Sequence, residues 1–394
     1  MNNFYFFLFL FFGISAISQN KANKIIVDKT TKAPLEYVTI YNDTDNSISN
    51  SDGLFVFVSN KKEINFSLIG YSTLSTTFED LKNKDSIFME SKALLLDEVI
   101  VNNAESIIKK AYNNSKKNYL LAPLTENFFL RCLLKKDDEI VRLQDVFGKT
   151  YRLTQFQTPE IKENKLAVEI LNMRKTGFLV KNDITYLAFP GFDILNFLSS
   201  IFLSDVKLYD FTEIKSGDDS YRRINFIKKE KDKNGQTLSG SYIIKRDDYA
   251  IVQFSLNLYD DNDVNPYLEK KGHKYRTTKF KFTTNFTKNT KIDKYYMSNS
   301  SVEFRLEILA DSKIEKTLNY DFVADYFVTN SFTNEDVNSN FSITKDIFKA
   351  KFPYSENFWK TQNQLPISNE LKTFLTKVSE NKDKKKEFEV IGNF

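Results

Sequence analysis

The 394-residue chain holds one His, one Cys and one Trp, with 11 Gly and 7 Pro. One imidazole and one thiol cannot build a His-rich zinc site, a four-cysteine cluster or an iron–sulfur centre, and Cys132 has no partner for an internal disulfide. So few glycines leave little room for phosphate-cradling loops. Charge of one sign is lacking too: 56 Lys+Arg stand against 52 Asp+Glu, a net +4 that falls well short of a nucleic-acid footprint. Nucleic acid and nucleotide are therefore not expected as partners, and no cofactor is expected. The chain contains no Gly-x-Ser-x-Gly elbow, no Walker loop and no His-Glu-x-x-His, so it reads as non-catalytic. What it has in abundance is aromatic, 37 Phe and 20 Tyr, enough apolar surface for two or three domains.

Phe4 to Ile17 is an almost unbroken apolar run, shorter than the ~20 residues that span a bilayer. Ala16 and Ser18 fit the minus-three and minus-one positions of a secretory cleavage site. Residues 1–18 read as a signal peptide, with Gln19 as the first residue of an exported chain. No Cys follows the run, which excludes lipid attachment there. Cys132 lies within Phe128-Phe129-Leu130-Arg131-Cys132-Leu133-Leu134 and is expected to be a buried structural thiol.

From about 24 to 90 the pattern is short strands divided by turns. Lys24-Ile25-Ile26-Val27 and Tyr37-Val38-Thr39-Ile40-Tyr41 are β-branched and aromatic, with Asp28 to Thr31 and Pro34 between them. Ser51-Asp52-Gly53 turns the chain into Leu54-Phe55-Val56-Phe57-Val58, which is apolar on both faces and suits a sandwich interior. Ile64, Phe66 and Leu68 alternate with polar residues before Gly70-Tyr71 breaks the strand.

Val27-Asp28-x-x-Thr31-x-x-Pro34-Leu35-x-Tyr37-Val38-x-Ile40, Ser51-Asp52-Gly53-x-Phe55, Phe66-Ser67-x-Ile69-Gly70-Tyr71 and Leu96-Asp97-Glu98-Val99-Ile100-Val101 occur in that order. Together they resemble the carboxypeptidase regulatory-like domain over residues 24–101. The resemblance implies a transthyretin-like, non-catalytic β-sandwich of the kind that fronts exported and outer-membrane proteins of Gram-negative bacteria. It implies a location in the periplasm or at the periplasmic face of the outer membrane. It implies no peptidase activity, since His273 alone cannot supply the two-His zinc site of the enzymes that name the family.

Ala104, Ile107, Ile108, Ala111 and Tyr112 recur at helical spacing, with Asn103 placed to cap, and predict a helix over about 103–117. Beyond it, two-residue alternation dominates. Val252, Phe254, Leu256 and Leu258 form one such set, and Val302, Phe304, Leu306 and Ile308 another. Asn234-Gly235 predicts a hairpin, and Arg246-Asp247-Asp248 the next reversal. Further strands are expected at 206–212, 276–287, 292–299 and 315–328. The whole reads as mainly β: a signal peptide (1–18), a small N-terminal sandwich (19–101), a helical linker (102–126), a larger curved antiparallel sheet (127–332), and a C-terminal helical extension with a charged tail (333–394). The meander through Gly240-Ser241-Tyr242-Ile243-Ile244 and Asp248 to Val252 resembles in pattern the half-barrel of periplasmic lipoprotein-carrier proteins.

Such a sheet must bury its apolar face. The run from Phe192 to Leu203 is the candidate, predicted as an enclosed helix whose Phe192, Ile194, Leu195, Phe197, Leu198 and Phe202 either plug the sheet or line a pocket for an acyl chain. Plugging is the favoured expectation. Trp359 is expected to anchor the C-terminal part, His273 to be exposed, and Asp260 to Asp263 to form a solvated turn, since an EF-hand loop would need Gly at its sixth and Glu at its twelfth position. The sequence thus suggests an exported, non-catalytic envelope protein that binds an unidentified envelope protein, lipid or glycan.

Overall fold

A computed structural model describes residues 19–92, 99–100, 104–154, 166–178, 184, 186–196, 206–214, 218–231, 235–258, 265–311, 316–333, 335–380 and 390–394. The stretches read from sequence as a signal peptide (1–18), a capping Asn103, a turn at Asp260–Asp263 and a charged tail at Lys382–Lys386 lie outside these residues. The expected mainly β architecture is what forms.

The first unit contains β1 (Asn20–Asp28), β2 (Thr39–Tyr41), β3 (Asn46–Ile48), β4 (Leu54–Ser59), β5 (Glu63–Ser67), β6 (Leu74–Thr77), the one-turn helix α1 (Phe78–Leu81) and β7 (Ser86–Met89). One sheet has the order β4-β1-β7 and the other β3-β2-β5-β6. Ile26, Val38, Ile40, Phe55, Phe57, Ile64 and Phe66 are buried between them. Gly53 has φ +72°, and a Cβ there would stand 2.4 Å from the Ile26 carbonyl oxygen, so this turn requires glycine on two grounds.

The second unit begins with β8 (Val99–Ile100), α2 (Ala104–Asn113) and α3 (Ser115–Asn118), followed by β9 (Leu124–Lys136), β10 (Glu139–Arg152), β11 (Leu166–Gly177) and the short α4 (Asp193–Asn196). Then come β12 (Tyr209–Ile214), β13 (Tyr221–Lys228), β14 (Ser239–Lys245), β15 (Ile251–Asn257), β16 (Leu268–Lys270), β17 (His273–Asn289), β18 (Lys294–Asp311) and β19 (Lys316–Thr333). The sheet order is β11-β10-β9-β19-β18-β17-β15-β14-β13-β12-β8, with β16 hairpinned onto β17. Two antiparallel meanders are therefore joined where β19 returns to β9. The alternating stretches read from the sequence as separate strands at 292–299 and 302–308 are one strand, β18. Val99 and Ile100, grouped by sequence with the sandwich, pair instead with Ile214 and Glu213 of β12, so the large sheet takes over before residue 101.

The two faces of the large sheet carry different covers. On β9, Phe128, Leu130, Cys132 and Leu134 face a core that includes Phe189, Phe192, Ile194, Leu195, Phe341, Ile347 and the buried side of α2. This is the plug face. The alternate residue Phe129 faces Phe147, Phe327, Ile48 of the sandwich, Trp359 and Leu365, where α5 (Glu356–Lys360) lies. Leu143 faces Leu371, Phe374 and Val378 of α6 (Asn369–Glu380). This is the sandwich face. Buried on both sides, β9 is apolar without alternation from Phe128 to Leu134, save for Arg131. Among the described residues no helix is long and apolar enough to cross a membrane.

Candidate binding site

The residues proposed from sequence divide in two. Phe192, Ile194 and Leu195 are buried on the plug face, Phe192 edge-on to Phe128 with ring centroids 5.3 Å apart and tilted against Phe341 at 5.8 Å. All three belong to the core cluster that covers this face of the sheet. Phe197, Leu198 and Phe202 lie outside the described residues, as does any helix beyond Asn196.

Residues with catalytic potential are dispersed and otherwise engaged. The Cys132 thiol is buried, and burial pushes its pKa well up. His273 is exposed on the β16–β17 hairpin and stacks on Tyr186 at 4.3 Å. Asp248 accepts hydrogen bonds from the Ala250 N–H (3.0 Å) and the Tyr295 hydroxyl (3.0 Å), while Asp247 lies 3.7 Å from Lys245. Those two carboxylates shape the β14–β15 turn, where Tyr249 has φ 60°. Among the described residues no group of three His, Cys, Asp or Glu could hold a metal ion.

Sequence reading missed what happens between the two units. The sandwich is wired onto the sheet by polar side chains. Asn46 Nδ2 donates to the carbonyls of Val328 (2.8 Å) and Ser298 (3.2 Å), and Asn299 Nδ2 donates to Thr39 Oγ1 (3.3 Å). The Tyr37 hydroxyl donates to Asp325 at 2.8 Å. Tyr37 adopts φ 56°, a left-handed conformation rare for a bulky residue, and this contact is among those that hold it there. The chain between α5 and α6 completes the join: Asn363 accepts from the Val58 N–H (2.7 Å) and donates to the Val58 carbonyl (3.1 Å).

Beside this join lies a cleft of about 230 Å3. The sandwich supplies Tyr37, Thr39, Tyr41 and Leu68, and the sheet supplies Tyr221, Gln253, Asn285 and Tyr295, with Lys245 and Lys288 also in the lining. An amide ladder crosses three neighbouring strands there. Gln253 Nε2 donates to Asn285 Oδ1 at 2.9 Å, and Asn285 Nδ2 donates to Asn299 Oδ1 at 2.7 Å. Burial raises the pKa of all four tyrosines, with Asp325 adding to the effect at Tyr37 and Asp248 at Tyr295, so their phenols stay protonated at neutral pH. No local motif announces the cleft, because its tyrosines come from positions 37, 41, 221 and 295 and meet only through tertiary docking.

No protein-family profile and no curated protein matches the chain, so the carboxypeptidase regulatory-like resemblance rests on its motifs alone. Solved structures overlap it loosely. A domain described as an outer membrane lipoprotein-sorting protein, from Vibrio parahaemolyticus, shares 9% identity over 60% of this chain and 95% of its own, with a TM-score of 0.28. The MucA/MucB complex of Pseudomonas aeruginosa gives 8% identity over 57% of this chain and 93% of its own, TM-score 0.15. A protein of unknown function from Bacteroides fragilis, described as membrane-associated, gives 9% identity over 80% and 99%, TM-score 0.14. Overlap this loose carries no argument about ligand or partner.

Proposed function

We propose that the chain is a non-catalytic binding module of the cell envelope, acting in the periplasm or at the periplasmic face of the outer membrane. In this reading the seam between sandwich and sheet is its recognition site. The observation that carries it is the cleft itself: a polar, tyrosine-rich recess shared by two units that buried side-chain hydrogen bonds hold in one fixed relation. A site assembled in this way is preorganised, so a ligand does not have to order it. The leader-like run at residues 4–17 supports export. The burial of Phe192, Ile194 and Leu195 against the sheet supports a scaffold rather than an acyl-chain carrier.

Affinity capture from a Gram-negative envelope fraction tests this, comparing the mature chain with Tyr41→Ala/Tyr221→Ala. Both residues are only half-buried, so the variant should melt close to the parent. The parent should retain a component that the variant loses. Equal retention by both, at matched melting temperatures, would overturn the assignment of the seam. Extraction of stoichiometric acyl lipid from the native protein would turn the reading towards a carrier.

A further inference from the structure

We propose that the seam cleft seats one unit of a neutral, polyhydroxylated ligand, a saccharide chain whose remainder runs over the surface. This rests on the reading of the seam as the recognition site. Four features point to that chemistry. At about 230 Å3 the cleft is below the range of drug-sized pockets, so it accommodates a ring rather than an extended acyl chain. Its lining combines the amides of Gln253 and Asn285, which both donate and accept, with the phenols of Tyr37 and Tyr295, whose protons go to Asp325 and Asp248 and whose oxygens are left to accept from hydroxyls. Each lysine in the lining is already matched by a carboxylate, Lys245 by Asp247 at 3.7 Å and Lys288 by Asp293 at 2.6 Å, so no uncompensated positive charge selects an anion. Finally, β15 and β17, which carry Gln253 and Asn285, are paired on both sides, to β14 and β17 and to β15 and β18 respectively. A peptide cannot add there as a further strand, which removes the main-chain bonding that most often recognises extended peptides at sheets.

Gln253, Asn285 and the tyrosines also differ in what they would contribute. The amide ladder fixes where hydrogen-bonding groups stand, because each rung is held by its neighbour on the next strand. Tyr41 and Tyr221, half-buried and on opposite units, line the cleft with aromatic rings, against which the apolar side of a sugar ring packs favourably.

Saturation-transfer NMR and calorimetry on the full mature chain test the assignment. The probes are cello-, malto-, xylo- and mannohexaose, with a heparin hexasaccharide and an uncharged hexapeptide alongside. At least one neutral hexasaccharide should bind, with affinity unchanged within about twofold on raising salt, since no ion pairing is involved. Tyr221→Ala and Gln253→Leu should each weaken it by ~10-fold or more while leaving the melting temperature near that of the parent. Two variants from different strands guard against a local folding defect. No binding by any neutral probe, binding confined to the heparin fragment with steep salt dependence, or binding of the peptide in their place would each overturn the saccharide assignment. If that happens while Tyr41→Ala/Tyr221→Ala still loses its envelope component, the recognition site stands and only its ligand class falls.

Discussion

On the sandwich face of β9–β11, Asp145 is fully buried between two arginines. Arg131 donates to it through Nε and Nη2, both at 2.8 Å, and Arg174 through Nε (3.0 Å) and Nη2 (2.7 Å). The arginines reach further, Arg131 to the carbonyls of Leu365 and Pro366 (both 2.9 Å) and Arg174 to Gln364 (2.9 Å), with Arg174 also lying 4.5 Å above the Trp359 ring. On the plug face of β9 and β10, Glu126 and Arg152 are just as deeply buried and bonded to each other, yet among the described residues Glu126 Oε1 and Arg152 Nε and Nη1 have no hydrogen-bond partner. Buried charge stabilises only when its remaining bonding capacity is met. The triad meets that condition and also clasps the segment between α5 and α6 against the sheet. The pair does not meet it with protein atoms, so its net contribution should be small.

The largest effect should therefore follow from breaking the triad. Asp145→Ala leaves two guanidinium groups buried without their counter-charge and frees the clasp on Leu365 and Pro366. A loss of ~3–5 kcal/mol is expected in denaturant titrations. If the variant is within 1 kcal/mol of the parent, the triad is not the clasp that its geometry suggests.

Next in size is Phe192→Ala, which sharpens the contrast between a filled plug face and a lined pocket. Phe192 is fully buried against Phe128 and Phe341, so truncation should open a core cavity and cost ~3–5 kcal/mol, towards the lower end if Phe341 relaxes inward. A variant of parental stability that has lost a bound lipid would show that these rings border a ligand.

These two residues also mark how far sequence reading could go. Phe192 was visible as part of an apolar run that needed enclosure, and the alternating strands, the Gly53 turn and the reversal at Asp247-Asp248 followed from two-residue periodicity and turn chemistry. Arg131 was visible only as an interruption of an apolar run. Its partners lie at 145, 365 and 366, and nothing local records such pairings. The same holds for the seam, where Asn46 reaches Ser298 and Val328. Periodicity says which face of a strand is buried; it does not say which remote segment covers it. That is also why Val99 and Ile100 were grouped with the sandwich, whose motif order they continue, although their hydrogen-bond partners are in β12.

A smaller effect, and one of opposite sign for the two clusters, is expected with pH. At Asp145 burial raises the pKa, but Arg131 and Arg174 together outweigh it and hold the carboxyl below its ordinary 3.8. Its contribution is thus complete above 3.8 and is lost as pH falls through the lowered native value. At Glu126 burial dominates over attraction to Arg152 and raises the pKa above its ordinary 4.5. The native state then takes up that proton first, and stability should gain as pH falls from neutral through the raised value towards 4.5. Denaturant titrations across that range should show a larger gain in the parent than in Glu126→Gln, where Asp325, Glu36 and Asp193, also raised by burial, supply the remainder. A gain undiminished in Glu126→Gln would assign it wholly to those other groups.

The smallest change should come from removing the under-bonded pair altogether. Replacing both partners, Glu126→Leu/Arg152→Met, takes away one contact between the two side chains together with three buried polar atoms that no group among the described residues satisfies. Removing a buried pair in favour of apolar side chains of similar volume is commonly neutral or stabilising by ~1–4 kcal/mol. Here Phe128 and Tyr326, stacked at 5.3 Å on the same face, offer apolar surface for the new side chains. The double variant should melt at or above the parent, whereas Arg152→Met alone should be less stable, because it strands the Glu126 carboxylate. The comparison between faces would fail if the double variant lost as much as Asp145→Ala, since the pair would then contribute as strongly as the fully bonded triad.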